Sequence, residues 1–243
     1  MRFALVNAYK TDPQPKLHGQ CPHCGEAVVS KCGKVKVWHW SHKSTKICDP
    51  WWENETEWHR AWKDKFPKEW QEISALDGET CEIHIADVKT SYGLVVEFQH
   101  SPMPLEEMAA RERFYGNMIW IVDGLRSELD VSYFRLGLGS TPIQTNPLAY
   151  GFAWYGTSRL MHNWSDAKAR VFIDFGESLS SGPPVVWRLV FFDKKKKQGA
   201  VGPYPKHLLI EAILHGTEIG TTYLPATEEN EAMPEPGNQS QNI

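Results

Sequence analysis

The chain has 243 residues, 41% hydrophobic and 23% charged, with a net charge of −4, which is the composition of an ordinary soluble globular protein. A net negative charge argues against a protein that coats nucleic acid without specificity. Because no apolar run approaches the roughly 20 residues that cross a bilayer, we expect a cytoplasmic protein with no membrane partner.

The first predicted element is a zinc-binding module at residues 1–50. A C-x2-C knuckle is followed by an H-x2-H pair, a spacing typical of tetrahedral zinc. The segment has few Leu and Ile side chains, so we expect structural zinc to stabilise its fold. The fourth ligand is open, since Cys32 and Cys48 are alternatives to His39. The predicted ligands are Cys21, Cys24, His39 and His42.

The next segment has the pattern of an amphipathic helix. Asn54 is a suitable N-cap with Glu57 three residues later, and Pro67 limits the helix to about Lys65. Apolar side chains at four-residue spacing predict a packing face, made of Trp58, Trp62 and Phe66. The face beside it carries Glu55, His59 and Lys63. Taken locally, that second face fits a solvated surface with ion pairs better than the wall of an active site.

Two predicted strands carry acidic residues, at 81–88 and at 94–99, with a turn between them. Alternation places Asp87 on one face of the first strand, and Glu97 and Gln99 on one face of the second. A carboxylate among apolar side chains is costly to bury unless it is paired or bound to a cation. The two carboxylates therefore indicate either a divalent-cation site or the wet face of an edge hairpin.

A crossover connection follows the hairpin. Residues 101–115 are predicted to form a helix, with prolines near its first turn and Gly116 after its end. Residues 118–122 then form an apolar strand. Strand, helix and strand make a βαβ unit with a parallel pair. Together with the preceding helix and hairpin, this unit predicts an α/β fold with acidic residues near the strand ends.

The second half of the chain carries weaker signals. Beyond a loop rich in Gly and Pro, residues 169–176 and 185–192 are predicted strands, and residues 206–215 a predicted helix. The run Lys194–Lys197 fits a phosphate-binding segment or a solvated hairpin tip. The polar residues from Ala226 onward predict a disordered tail.

The chain also carries short motifs in a fixed order. These are Cys-Pro-x-Cys at 21–24, His-x-x-His at 39–42, Glu-x3-His-x3-Lys at 55–63, Ala-Asp-Val at 86–88, Glu-Phe-Gln-x-Ser at 97–101, Arg-x-x-Phe-Tyr at 111–115 and Ile-Trp-Ile-Val at 119–122. In this order they resemble the competence protein CoiA-like family, whose core belongs to the PD-(D/E)XK nuclease superfamily. The resemblance covers roughly residues 1–125.

The resemblance implies an α/β fold with a restriction-endonuclease-like (PD-(D/E)XK) core. A small N-terminal zinc-binding module precedes this core, and a mixed α+β C-terminal extension follows it. The expected units are the zinc module at 1–50, the nuclease-like core at 51–135, the extension at 136–225 and a disordered tail at 226–243.

The resemblance also implies a catalytic site. The acidic positions of the superfamily match Glu55, Asp87 and Glu97, which would bind Mg²⁺ or Mn²⁺. The implied catalytic residues are Glu55, His59, Lys63, Asp87, Glu97 and Gln99. Gln99 stands where the superfamily usually has a lysine, and an amide cannot supply a positive charge. We expect Lys63 or Lys89 to provide that charge, and His59 to contact phosphate or protonate the leaving group.

The function implied is that of a metal-dependent DNA endonuclease or nickase, which hydrolyses phosphodiester bonds through Mg²⁺-activated water. DNA, whether single-stranded, double-stranded or branched, is the expected substrate, during the processing of foreign or recombining DNA. A protein partner at the C-terminal extension is a further expectation. The alternative is a catalytically degenerate nuclease fold that binds nucleic acid or a protein, and Gln99 is the residue that favours it.

Overall fold

The fold is known from a computed structural model, which describes residues 1–44, 48–51, 53–177 and 182–220. Within these ranges the chain is a mixed α/β protein with two β-sheets, one of five strands and one of nine. The tail predicted from residue 226 lies outside the described residues. In the part of the chain described, no helix is long and apolar enough to cross a membrane.

The N-terminal module is built on the five-stranded sheet. Its strands are β1 (Ala4–Val6), β2 (Tyr9–Thr11), β3 (His18–Gln20), β4 (Ala27–Lys31) and β5 (His39–His42), in the order β2-β1-β3-β4-β5. All neighbouring pairs are antiparallel. The buried core of the module is small and consists of Met1, Ala4, Cys21, Val28 and Trp40. A core of this size leaves a module that needs further stabilisation, as the sequence predicted.

The nine-stranded sheet begins after the first helix, α1 (Glu57–Lys63), and a 3-10 turn at Lys68–Trp70. Its strands are β6 (Gln71–Leu76), β7 (Ile83–Lys89), β8 (Val95–Gln99), β9 (Met118–Asp123), β10 (Leu138–Thr145), β11 (Leu148–Ala153), β12 (Arg170–Asp174), β13 (Val185–Asp193) and β14 (Gln198–Pro205). The other helices are α2 (Leu105–Tyr115), α3 (Glu128–Gly137), α4 (Leu160–Trp164) and α5 (Lys206–His215).

The strand order is β10-β11-β14-β13-β12-β9-β8-β7-β6. The predicted hairpin is confirmed, because β7 and β8 pair antiparallel. The predicted crossover is also confirmed, since β9 returns parallel to β8 after α2. The strands of the predicted C-terminal extension continue this same sheet, with β12 parallel to β9. The sheet therefore runs through both the predicted nuclease-like segment and the described part of the extension.

The sheet is covered on both faces, which explains why β9 is apolar from Met118 to Val122. Alternate side chains of β9 enter different cores: Trp120 packs with Phe134 of α3 on one face, and Ile121 packs with Trp62 of α1 on the other. All six residues of β9 are buried. A strand buried on both faces shows a continuous apolar run rather than alternation.

Helix α1 differs from its prediction at both ends. The prediction of Asn54 as N-cap is wrong, because the cap is Thr56. Its hydroxyl accepts the backbone N–H of His59, while the His59 ring accepts the backbone N–H of Thr56. This reciprocal pair is a capping box in which histidine takes the usual place of Glu or Gln. The helix ends at Lys63, two residues earlier than expected.

Candidate functional site

Two facing carboxylates lie near the β6 edge of the nine-stranded sheet. Asp87 lies on β7 and Glu97 lies on β8, and the backbone N–H of Asp87 donates to Glu97 Oε1 at 3.2 Å. In return, the backbone N–H of Phe98 donates to Asp87 Oδ2 at 3.0 Å. The Glu97 side chain is only 3% exposed, whereas that of Asp87 is 22% exposed. The two strands thus bring together the acidic residues that the sequence singled out.

Lys63 provides the positive charge beside Asp87. Its Nζ lies 2.8 Å from Asp87 Oδ1 and 3.1 Å from Glu55 Oε1, and its side chain is 5% exposed. Burial alone would lower the pKa of this ammonium, but Asp87, Glu55 and Glu72 outweigh it and hold the pKa above its usual range. Lys89, the other candidate, is not among the residues that line the cavity at this site.

Glu55 forms ion pairs with two cationic side chains, those of Lys63 and Arg60. Its Oε2 accepts from Arg60 Nε at 2.9 Å. Its Oε1 receives no hydrogen bond within the described residues and faces the Lys63 ammonium. Burial would raise the pKa of Glu55, but Lys63 and Arg60 lower it to about 2. Glu55 is therefore a charged carboxylate that holds Lys63 in place.

The negative charge of Glu97 is balanced by an arginine that the sequence analysis did not identify. Arg111 of α2 donates from Nη1 to Glu97 Oε2 at 2.9 Å, and its Nη2 donates to Glu107 at 2.6 Å. Burial first, and then the nearby Asp87 charge, raise the pKa of Glu97 to about 8 despite this arginine. Arg111 begins the Arg-x-x-Phe-Tyr motif, so a signal for it was present.

Gln99 and His59 both contact Glu53, which is another residue that the sequence did not single out. The Gln99 amide donates to Glu53 Oε2 at 3.1 Å, and His59 Nε2 lies 3.0 Å from Glu53 Oε1. His59 Nε2 is also 3.0 Å from the Phe98 carbonyl, and its Nδ1 belongs to the capping box. Both ring nitrogens of His59 are therefore occupied within the fold.

These side chains surround a cavity of about 60 Å³. A single water needs about 10–15 Å³ of such space, so the cavity admits an ion with several waters but not a nucleotide. Its lining residues are Met1, Asp49, Trp51, Glu53, Glu55, His59, Lys63, Glu72, Ile85, Asp87, Glu97, Phe98, Gln99 and Arg111. All six predicted catalytic residues are among them.

A separate cluster in the N-terminal module fits a zinc ion. Its ligand atoms all lie within 4.8 Å of one another, and they belong to Cys21, Cys24, His42 and Cys48. Cys21 Sγ lies 3.9 Å from Cys48 Sγ, and Cys24 Sγ lies 3.3 Å from His42 Nε2. Tetrahedral zinc with Zn–S bonds of about 2.3 Å places its sulfurs roughly 3.8 Å apart. The arrangement therefore matches a closed structural site.

The cluster differs from the predicted ligand set at one position, because Cys48 stands where we placed His39. His39 and His42 both lie on β5, three residues apart, so their side chains project to opposite faces of the strand. His39 Nδ1 instead lies 2.8 Å from the Val37 carbonyl oxygen. Cys32, the other alternative, is also outside the cluster.

A comparison with known protein families gives a match in the segment that contains this cluster. Residues 16–50 match the family model described as Competence protein CoiA, N-terminal domain. The N-terminal module is similar to that domain over these residues, and we call it the CoiA-like module. No curated protein and no solved structure matches the chain. All four residues of the zinc cluster lie within the matched segment, whereas the nine-stranded sheet lies beyond it.

The CoiA-like module is joined to the carboxylate site by Glu72, which sequence reasoning also missed. Glu72 of β6 accepts the backbone N–H groups of Arg2 at 2.6 Å and Phe3 at 3.0 Å. Its Oε1 also lies 3.7 Å from Lys63 Nζ. In addition, Asp49, which follows the cluster residue Cys48, accepts the Ile85 N–H of β7 at 3.1 Å. The CoiA-like module therefore forms one wall of the cavity.

Proposed function

We propose that this protein is a metal-dependent DNA endonuclease or nickase that acts at the cavity between Asp87 and Glu97. The observation that carries the proposal is the placement of these two carboxylates and Lys63 around one small cavity. Hydrolysis of a phosphodiester needs stabilisation of negative charge and an oriented water. Two carboxylates for a cation and a lysine for the phosphate are suited to that task.

The donor set fits Mg²⁺ or Mn²⁺. Each oxygen of Asp87 and Glu97 already accepts one hydrogen bond or ion pair, and a carboxylate oxygen has a second lone pair to offer. Mg²⁺ is usually held by one or two carboxylates, with waters and substrate phosphate completing its shell. Bound there, the cation would lower the pKa of a water and neutralise charge on phosphate oxygens.

The remaining residues act on position and charge. Lys63 is fixed by Glu55 and Asp87, so its ammonium is placed to hold a phosphate oxygen where Gln99 cannot supply charge. Gln99 is itself held by Glu53. We assign Glu55 to positioning of Lys63 rather than to the metal, because both of its oxygens face cationic side chains. Asp87 and Glu97 each direct one oxygen at a backbone N–H instead.

The order of elements supports the same proposal. Helix α1, the antiparallel hairpin β7–β8, helix α2 and the parallel strand β9 follow one another in the order expected from the sequence. The CoiA-like module adds a link to competence. The proposed setting is therefore the processing of foreign or recombining DNA, with single-stranded, double-stranded and branched DNA as substrates to compare.

A second candidate function is a degenerate nuclease fold that binds nucleic acid or protein without cutting. The Gln99 amide favours it, because both of its hydrogen bonds go to the protein itself, to Glu53 Oε2 and the Ser101 carbonyl. In that case the carboxylates and Lys63 would form a neutralising network that stabilises the sheet.

Cleavage of a panel of labelled DNAs distinguishes the two functions. Zinc-loaded wild-type protein is incubated with single-stranded, duplex and branched DNA in Mg²⁺, Mn²⁺ or Ca²⁺. Nuclease function predicts products in Mg²⁺ or Mn²⁺, and none from Glu97→Ala. A control, Glu79→Ala, removes an exposed carboxylate from the β6–β7 turn and should cut like wild type. Retained DNA binding without any product would instead support the binding module.

A further inference from the structure

A second and larger cavity lies beside the carboxylate site. Its volume is about 310 Å³, within the range of small-molecule pockets. It is formed where β9 ends, where α3 begins and where the chain leads into α4. The residues lining it are His100, Ser101, Pro102, Val122, Asp123, Arg126, Asp130, Thr157, Ser158, Arg159, Leu160, Asn163 and Trp164.

Two arginines make this cavity attractive to an anion. Arg126 and Arg159 both line it and both are exposed. In the described part of the chain, neither guanidinium forms a salt bridge or a side-chain hydrogen bond with the protein. A guanidinium presents five N–H donors in a planar fork that matches phosphate oxygens. The pair therefore offers a phosphate contact that none of the described residues satisfies.

A buried acceptor lies in the same cavity. Asp130 is only 3% exposed, and its Oδ1 has no hydrogen-bond partner among the described residues. Burying an unpartnered carboxylate oxygen costs several kcal/mol, so such atoms are rare in folded proteins. An incoming N–H donor would remove this cost. The cavity thus combines phosphate donors with one unsatisfied acceptor.

His100 joins this cavity to the carboxylate site. It follows Gln99 in the chain, and its Nδ1 lies 2.7 Å from Asp123 Oδ2. Its ring centroid is 6.2 Å from that of His59, and its backbone N–H donates to Glu53 Oε1 at 3.4 Å. Because His100 lines the second cavity and contacts Glu53, which lines the first, the two cavities are neighbours.

We propose that this cavity binds one nucleotide of an unpaired DNA strand, next to the phosphate that is cut. Arg126 and Arg159 hold its phosphate, and Asp130 accepts an N–H from its base. Every base has such a donor on its Watson–Crick edge, but in a duplex that donor is already used in pairing. The substrate class is therefore single-stranded DNA or the unpaired bases of a branch. This inference rests on the proposed DNA-cutting function.

The role of the two arginines is tested by measuring DNA binding under conditions that prevent cleavage. Fluorescence anisotropy is measured with Ca²⁺ in place of Mg²⁺, using one labelled oligonucleotide as a single strand and as a duplex. The wild type should bind the single strand more tightly. Arg126→Ala/Arg159→Ala should weaken this binding about tenfold, and should reduce the slope of log affinity against log salt by about 0.7 for each phosphate that is no longer neutralised. The matched control, Lys31→Ala/Lys34→Ala, removes two exposed charges from the N-terminal module and should leave the slope unchanged.

Abasic substitutions test Asp130. Removing one base at a time from the single strand should reveal a position at which wild-type binding falls about tenfold. Asp130→Ala should bind the intact strand more weakly and be insensitive to base removal at that position. Equal losses in wild type and Asp130→Ala at every position would overturn the base contact. Duplex binding as tight as single-strand binding would overturn the substrate class.

The outcomes separate this inference from the proposed function. If the chain cuts no DNA but its single-strand binding depends on Arg126, Arg159 and Asp130, the cavity assignment stands and the nuclease proposal fails. If the chain cuts DNA and the three substitutions change neither affinity nor rate, the nuclease proposal stands and the cavity assignment fails. Folding of each variant is checked by its unfolding midpoint.

Discussion

Lys63 Nζ of α1 lies 2.8 Å from Asp87 Oδ1 of β7, and both groups border the cavity that also contains Glu97. Gln99 occupies the position where the resemblance to the PD-(D/E)XK nucleases implies a lysine. Helix α1, on the opposite wall of the cavity, supplies the positive charge that β8 lacks. The contact between Lys63 and Asp87 therefore explains how the site has a positive charge although β8 carries none at position 99.

Substituting Lys63 by methionine keeps the aliphatic stem and removes the charge. Because Glu55, Asp87 and Glu72 would lose their shared cation, we expect the free energy of unfolding to fall by about 3–5 kcal/mol in the absence of divalent metal. Cleavage should fall about 100-fold or more. Guanidinium titration and single-turnover cleavage give these two quantities.

The matched control for that variant is Lys65→Met. Lys65 is exposed just beyond the end of α1, so its loss should change stability by no more than about 0.5 kcal/mol. Equal stability and equal cleavage in Lys63→Met and Lys65→Met would contradict the role given to Lys63.

A lysine at position 99 should partly replace Lys63. In the Lys63→Met background, Gln99→Lys returns a positive charge to the strand, and its Nζ can still donate to Glu53. We expect cleavage to recover by about tenfold, which corresponds to about 1.4 kcal/mol of transition-state stabilisation. Gln99→Leu in the same background is the control and should give no recovery. Recovery by leucine would indicate that the gain does not come from charge.

The zinc cluster predicts which histidine and which cysteine are needed for zinc binding. Cys48→Ser should reduce bound zinc from about one ion per chain to a small fraction, because structural zinc takes four ligands. His39→Ala should keep the metal, since His39 lies outside the cluster. Inductively coupled plasma mass spectrometry of dialysed protein measures both. Zinc lost from His39→Ala and retained by Cys48→Ser would reverse the assignment.

Glu72 should connect the CoiA-like module to the sheet. Glu72→Ala removes the acceptor of two backbone N–H groups, those of Arg2 and Phe3. Each hydrogen bond to a charged group contributes about 1.5–3 kcal/mol, so we expect a marked loss of stability and faster proteolysis within the module. Limited trypsin digestion locates the first cuts.

The control for this variant is Glu69→Ala, because Glu69 is an exposed glutamate on the preceding 3-10 turn. It should digest like wild type. Identical digestion patterns for the two variants would mean that Glu72 does not hold the module.

The central fold was accessible from sequence because its elements have strong local patterns. The apolar run of β9 and the turn before β8 place those strands within a residue or two of their observed bounds. Helix α5 matches its prediction at both ends. Asp87 and Glu97 were brought together correctly because hairpin pairing fixes which residues face each other.

Other features depend on contacts that no local pattern records. The strands of the N-terminal module have three to five residues each and lack clear alternation, so they were not predicted. Without β5, the opposite orientation of His39 and His42 was hidden, and Cys48 was not preferred. Glu53 and Glu72 reach the site through tertiary packing alone, from positions without a motif.

The measurement that tests the central claim most directly is single-turnover cleavage by Asp87→Asn. The amide keeps an oxygen for the Phe98 N–H but loses the charge that would hold the cation. The claim predicts a fall in rate of about 1000-fold in Mg²⁺, with zinc content unchanged and with Glu79→Gln cutting like wild type. Cleavage by Asp87→Asn at the wild-type rate would contradict it.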